Sequence, residues 1–382
     1  MTGRERRHVT VAAAQVSGGF FDPGRAVDRL LESMTRASAQ GVELLVLPEC
    51  YIGGYPYWRG HVTVKQETEL GARLCESAVR VSGPEVQAIA AHARSVGMSV
   101  VVGANERDER PGSSTAYNSV LAFTPDEGFI GARRKLVPTH TERAYWGNGD
   151  ARDVRTFSMP VGEVGSLICY EHHMLTARLA MALLGEEIHC ALWPGYWQTV
   201  SHIADKKPGP TVTDAEIDAV VRNYAMSSQN FVVSANALLL QDDIPSDLRE
   251  VLGYNLARGG SSVVDSSGRY LVPPRFDEEC LVVATLDFWD RALTKSYLDT
   301  VGHYARWDLF DLRVSGRSLT ADPPGTGTRL PAVPPAAPTP TPTPTRDIEA
   351  ARPAASEQRT GSATDAPRPA PAPEDAGEST VL

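Results

Sequence analysis

The chain has 382 residues, with 37 Lys or Arg against 47 Asp or Glu and a formal net charge of −10. That acidic balance opposes binding to a phosphate backbone, which needs clustered basic side chains, so no nucleic-acid partner is expected. Apolar residues make up 42% of the chain, enough for a packed core. No apolar run reaches the roughly 20 residues needed to cross a bilayer, so no membrane partner is expected either.

In chain order, Arg4, Arg6 and Arg7 precede the apolar stretch Val9–Ala14. This stretch is shorter than the roughly 7–15 residues of a signal-peptide core, so Val9–Val16 reads as a first strand and the protein as cytoplasmic. Asp22 as N-cap, Pro23 at the first position and Gly41 as a stop frame a helix. Its core face is Val27, Leu30, Leu31, Met34 and Ala37. A second strand, Val42–Pro48, runs into Glu49. A second helix, Pro84–Val96, stops at Gly97, and strands follow at Ser99–Ala104 and Ser119–Thr124. The strand Gly165–Cys169 leads into a third helix, expected to begin just after Cys169 and to run through Leu175, Leu179, Ala182 and Leu183 to Gly185. Further strands are His189–Trp193, Phe231–Ala235, Ser261–Asp265 and Cys280–Leu286. Strands that are apolar throughout, alternating with helices, predict an α/β fold.

The composition shifts near residue 320. Residues 320–382 hold 14 of the 28 prolines and no aromatic, Cys or His. Pro-Thr alternation over 338–345 favours extended polyproline conformations. Such a segment buries too little apolar surface to offset its chain entropy, so it reads as a disordered tail.

The five cysteines, Cys50, Cys75, Cys169, Cys190 and Cys280, are odd in number and form no C-x-x-C pair, which excludes a disulfide scaffold or zinc ribbon. Cys169 stands where a buried strand gives way to a helix, the setting of an exposed nucleophile with its thiolate favoured by the helix N-terminus. The plainer reading is a strand-end core cysteine. Lys135, after Arg133 and Arg134, reads on its own as a solvated charge, and Glu49 as a loop carboxylate on the rim of an α/β sheet. Together they say more. A cysteine nucleophile needs a base, and an acyl-type intermediate needs a cation or donor against its charge.

Four ordered segments resemble the nitrilases of the carbon–nitrogen hydrolase superfamily. Leu47-Pro-Glu-Cys-Tyr-Ile-Gly-Gly-Tyr-Pro-Tyr57 resembles their glutamate motif. Lys135-Leu-Val-Pro-Thr-His-Thr-Glu-Arg-Ala-Tyr-Trp-Gly-Asn-Gly149 resembles their lysine motif, and Leu167-Ile-Cys-Tyr-Glu-His-His-Met174 their cysteine motif. Gly302-His-Tyr-Ala-Arg306 with Asp308 resembles the segment that closes the domain. The resemblance implies a four-layer αββα sandwich over residues 8–315 and hydrolysis of an organic nitrile, with no cofactor and no metal. It implies Glu49 as general base, Lys135 as the stabilising cation, Cys169 as nucleophile and Glu142 as a second, positioning glutamate. It also implies a homo-oligomer in which dimers build larger spirals. Nitrilases usually carry Trp after the cysteine; Tyr170 here keeps an aromatic wall and adds a hydroxyl.

Among the aromatics near these motifs, Tyr55, Trp146, Tyr170 and Trp193 are candidates to line the substrate pocket, and Tyr57, Trp58, Tyr145, Tyr196 and Trp197 fit a core or subunit contact equally well. His172 and His173, adjacent on a helix start, point about 100° apart and do not suit one metal ion. An amidase and a cyanide-hydrolysing enzyme share the motifs, and a self-associating protein without catalysis is the rival from another class.

Overall fold

A computed structural model describes residues 6–59, 61–195, 212–252 and 257–320; for residues 212–215, 250 and 251 only the backbone is described. In chain order the elements are β1 (His8–Gln15), α1 (Pro23–Ser38), β2 (Leu44–Val46), α2 (Val64–Glu76), α3 (Pro84–Val96), β3 (Ser99–Arg107), β4 (Ala116–Thr124) and β5 (Gly128–Arg134). Then come β6 (Phe157–Met159), β7 (Gly162–Ile168), α4 (Leu175–Leu183), β8 (Ile188–Trp193), α5 (Val212–Ser228), β9 (Phe231–Asn236) and α6 (Ser246–Leu252). The last are β10 (Gly259–Val264), β11 (Tyr270–Phe276), β12 (Cys280–Asp287), α7 (Phe288–Tyr297) and a short hairpin, β13 (Arg313–Val314) with β14 (Arg317–Ser318).

The strands form two six-stranded sheets, in the orders β12-β1-β2-β3-β4-β5 and β11-β10-β9-β8-β7-β6. The alternation of side chains along β1 shows how they stack. Val9, Val11 and Ala13 join the core between the sheets, together with Leu44, Val46 and residues of β7, β8 and β9. Ala12 and Ala14 point the other way, into a second core with Val27, Leu30 and Met34 of α1 and Ile89 and Ala93 of α3. On the outside of the other sheet, Met181 of α4 and Val221 and Tyr224 of α5 complete the covering. Helices, sheet, sheet, helices make the αββα sandwich. Strands covered on both faces explain the apolar runs in the sequence.

The cap of α1 is as expected: the Asp22 side chain accepts from the Arg25 N–H and Pro23 opens the helix. Leu31 is only partly buried, and Ser33 takes a place on the core face. One expectation fails. No α-helix begins just after Cys169; residues Cys169–His173 form a 3₁₀ helix and α4 starts at Leu175. The Glu171 carboxylate turns back to accept from the Ile168 N–H, which tightens this turn. β5, β6 and β11 and helices α2, α5, α6 and α7 add to the elements read from the sequence. Tyr196, Trp197 and the segment beyond Thr320 lie outside the described residues. Among the described residues, no helix is long and apolar enough to cross a membrane.

Candidate active site

Three strand ends bring the site together. β2 ends at Val46, Leu47 still donates its N–H to the Val101 carbonyl, and the chain then turns at Pro48 across β3. The turn packs this closely because residue 103 is glycine; a Cβ there would lie 2.2 Å from the Pro48 carbonyl oxygen. The Glu49 side chain is then buried. Its Oε1 accepts from Asn118 Nδ2 at 2.6 Å and from Lys135 Nζ at 2.9 Å. Its Oε2 has no hydrogen-bond partner among the described residues. Burial, with a smaller push from Glu142, outweighs Lys135 and raises the Glu49 pKa to about 7.

Lys135 follows the last residue of β5. Its N–H donates to the Asn118 carbonyl at 2.7 Å and its own carbonyl accepts from Gly149 at 2.8 Å, so its backbone is held on both sides. Nζ also donates to Glu142 Oε2 at 2.8 Å. Burial pulls the Lys135 pKa down, but the neighbouring carboxylates, Glu49 first and Glu142 after it, outweigh that and keep the ammonium well above its ordinary range. Glu142 sits in a 3₁₀ turn, His140–Ala144, where it accepts from the Thr139 N–H at 2.8 Å and from the Tyr55 hydroxyl at 2.6 Å. Glu49, Lys135 and Glu142 therefore form one bonded row.

Cys169 follows the last residue of β7 with φ 52°, a left-handed conformation that costs a non-glycine residue about 1–2 kcal/mol. It is buried and electrostatically coupled to Glu49, Lys135 and Glu142. Burial, then Glu49, push its thiol well above the ordinary range; Lys135 and the Tyr170 backbone act against this without reversing it. Thus the expected helix-stabilised thiolate is not what this site favours. One 3₁₀ turn offers little dipole, and the sulfur is buried beside two carboxylates. The environment of Cys169 therefore favours the neutral thiol, with Glu49, Lys135 and Glu142 as the charges that act on it.

A second buried pair locks these strand ends in place. Arg133, two residues before Lys135, donates from Nη1 and Nη2 to the two oxygens of Glu171, each at 2.7 Å. Glu171 also accepts from the Leu136 and Ile168 N–H groups, both at 2.7 Å. One carboxylate thereby ties the lysine end of β5 to the cysteine end of β7, across the two sheets.

The aromatic candidates fall in different places. Tyr55 bonds Glu142, and Trp146 packs on it at 5.8 Å between ring centroids. Trp193 is buried and stacks on His172. The indole N–H groups of Trp146 and Trp193 are both buried without a partner among the described residues. Tyr170 is 44% exposed and its hydroxyl donates to Glu216 on α5. Tyr57 donates its hydroxyl to the Pro194 carbonyl at 2.5 Å. Trp58 and Tyr145 bond each other at 3.1 Å. His172 is fully buried, whereas His173 is partly exposed and pairs with Glu216 at 2.8 Å. Among the described residues, no group of three or more His, Cys, Asp or Glu is placed to hold a metal ion.

Sequence reasoning passed over Asn118, Arg133 and Glu171. Asn118 had a signal, a polar residue inside the apolar run Ala116–Thr124. Arg133 had none, because an arginine beside Arg134 and Lys135 looks solvated.

Residues 10–296 match the family described as "Carbon-nitrogen hydrolase", which sets the class. A protein named "Nitrilase" from Paraburkholderia phymatum is 35% identical over 82% of this chain and 88% of its own length. An "Aliphatic nitrilase" from Rhodococcus rhodochrous is 32% identical over 81% of this chain and 83% of its own. A solved carbon–nitrogen hydrolase from Helicobacter pylori G27 superposes with TM-score 0.62 at 18% identity, covering 80% of this chain and 97% of that one, a likeness of fold. The chain belongs to the nitrilase family of the carbon–nitrogen hydrolases.

Proposed function

We propose that this chain hydrolyses an organic nitrile to the carboxylic acid and ammonia through a covalent intermediate on Cys169. The observation that carries this reading is the buried row Asn118–Glu49–Lys135–Glu142, electrostatically coupled to a neutral cysteine, in which Glu49 titrates near neutrality and keeps one oxygen without a hydrogen-bond partner among the described residues. A base with a pKa near the working pH combines a useful ionised fraction with a real proton affinity.

Glu49 takes the Cys169 proton as the sulfur attacks the nitrile carbon, and that proton passes to the nitrogen, giving a thioimidate. A water then adds to the carbon, and the tetrahedral species is held by the Lys135 ammonium and the Tyr170 backbone N–H. Loss of ammonia leaves a thioester. A second water, deprotonated by Glu49, releases the acid and restores the thiol. Glu142, bonded to Lys135 and Tyr55, holds the ammonium on its line. Tyr55, Trp146, Tyr170 and Trp193 are the proposed aromatic wall for the organic group.

The names of the relatives support a nitrile over an amide. Incubation with aliphatic, aryl and arylaliphatic nitriles, with acid, amide and ammonia all quantified, tests the reading. Ammonia and acid in equal amounts are expected, and Cys169→Ala abolishes both without loss of fold. Turnover of amides alone overturns it. Oligomer formation is part of the proposal and is checked by size-exclusion chromatography.

A further inference from the structure

A second buried polar chain ends on Cys169, and no step above uses it. His172 Nδ1 lies 2.7 Å from the Cys169 carbonyl oxygen. His172 Nε2 lies 3.0 Å from Nε2 of His189, and His189 Nδ1 lies 2.6 Å from Glu186 Oε1. The other Glu186 oxygen accepts from the Tyr224 hydroxyl at 2.7 Å and from Asn230 Nδ2 at 3.2 Å. All five residues are buried. Trp193 stacks on His172 with centroids 4.6 Å apart, and Tyr224 on His189 at 3.7 Å, so neither ring is free to swing.

Counting protons fixes the sense of this row. A carbonyl oxygen only accepts, so His172 Nδ1 carries a hydrogen. Burial, and after it the neighbouring His189, pushes His172 well below the ordinary imidazole range; the ring is neutral and its Nε2 accepts. His189 Nε2 therefore supplies the middle proton. The last contact needs a third, carried either by His189 as an imidazolium facing the carboxylate or by Glu186 itself. In both arrangements the row is neutral overall, and the two bonds nearest Cys169 donate toward it. Space for Glu186 comes from the strand that leads into the cysteine. A Cβ on Gly165 of β7 would lie 1.8 Å from Glu186 Oε1, a carboxylate pinned by three partners.

We propose that Glu186, His189 and His172 form a positioning relay that holds the Cys169 backbone in its left-handed conformation and so aims the sulfur. This rests on the reading of Cys169 as nucleophile. Glu186 and His189 fix the His172 tautomer, and His172 restrains the Cys169 carbonyl. None of the three touches substrate. Without the Nδ1–H bond, Cys169 relaxes from φ 52° toward the common negative range and its sulfur shifts against Glu49 and Lys135.

The test uses the full-length enzyme with His172→Phe and the pair Glu186→Leu and Glu186→Gln. A glutamine amide donates to His189 Nδ1 and preserves the sense of the row with both rings neutral, whereas leucine does not. The readouts are kcat and KM on a nitrile, the rate of Cys169 alkylation by iodoacetamide, and thermal unfolding. His172→Phe and Glu186→Leu are expected to lower kcat per titrated cysteine about 100-fold, the cost of a misplacement of about 1 Å, with KM nearly unchanged. Alkylation slows in parallel, and Glu186→Gln recovers most of the loss. The relay is overturned if His172→Phe or Glu186→Leu lowers only the unfolding temperature, or if glutamine does no better than leucine. Should His172→Phe not fold, the Glu186 pair decides. A wild-type enzyme that hydrolyses no nitrile overturns the functional reading instead. The relay is then judged by ¹⁵N NMR of His172, where a proton on Nδ1 supports it and a proton on Nε2 alone overturns it.

Discussion

Arg133 and Lys135 lie two residues apart, both fully buried, and each meets carboxylate, yet their surroundings differ in kind. Arg133 and Glu171 cancel each other's charge, and Glu171 spends its oxygens on four donors, two from the guanidinium and two from the backbone. Lys135 faces two carboxylates, and one of them keeps an oxygen unbonded among the described residues. The first arrangement is closed: any proton transfer there leaves an uncompensated charge in a low-dielectric interior. The second is open, with a surplus acceptor and a carboxyl raised to about 7. Buried charge alone does not mark chemistry; what sets Glu49 apart is the unspent acceptor that the proposed mechanism uses.

The sharpest way to break this contrast is to open the closed pair. Glu171→Ala is expected to cost about 3–5 kcal/mol of stability in urea unfolding, because it strands the Arg133 guanidinium. A loss under about 1 kcal/mol means that the pair locks nothing. Next comes Lys135→Met, which keeps the stem and removes the charge. It should lower kcat about 10²–10³-fold, the usual consequence of losing one donor to an oxyanion, while circular dichroism stays native. Activity within about threefold of wild type, set against that range, removes Lys135 from the mechanism.

A subtler change keeps the surplus oxygen and alters only its affinity for protons. As the proposed base, Glu49 must be ionised, so kcat/KM is expected to rise with pH through about 7. Asn118 donates to Glu49 and lowers its pKa. Asn118→Ala should therefore move the acid limb upward by about one pH unit, as expected for one hydrogen bond to a charged group. A limb that stays in place, or moves down, assigns the titration to another group. The smallest effect is expected from Tyr55→Phe, which removes one donor to Glu142 at 2.6 Å. A loss of about 1 kcal/mol in unfolding free energy, with a few-fold fall in kcat, is the outcome to look for.

Glu49 and Cys169 left a local trace, since both follow apolar strands at abrupt boundaries, but that pattern alone fits a rim carboxylate and a core cysteine equally well; Lys135 and Glu142 were legible only through the resemblance of the four segments to the nitrilases. α1 was legible from Asp22 and Pro23. Other parts were hidden by the same rules. β11 carries Pro273 and Pro274, which argue against a strand, yet it lies at the outer edge of its sheet, where missing N–H groups cost nothing. β5 contains two glycines and two arginines and reads as a polar loop, although Arg133 within it is fully buried. α2 has the Thr63 and Gln66 capping box in plain view but buries only Leu70 and Leu74, too thin a stripe for a periodicity argument. The turn after Cys169 departed from an α-helix because Glu171 is occupied with backbone groups on both sides. That demand arises only once the two sheets face each other.

The Glu171 tie between β5 and β7 has a consequence for how the chain matures. The lysine end and the cysteine end belong to different sheets, so a half-assembled polypeptide with a single sheet formed cannot bring them together. The proposed catalytic row is therefore complete only once the two sheets have docked, and hydrolysis would report on that last step of folding.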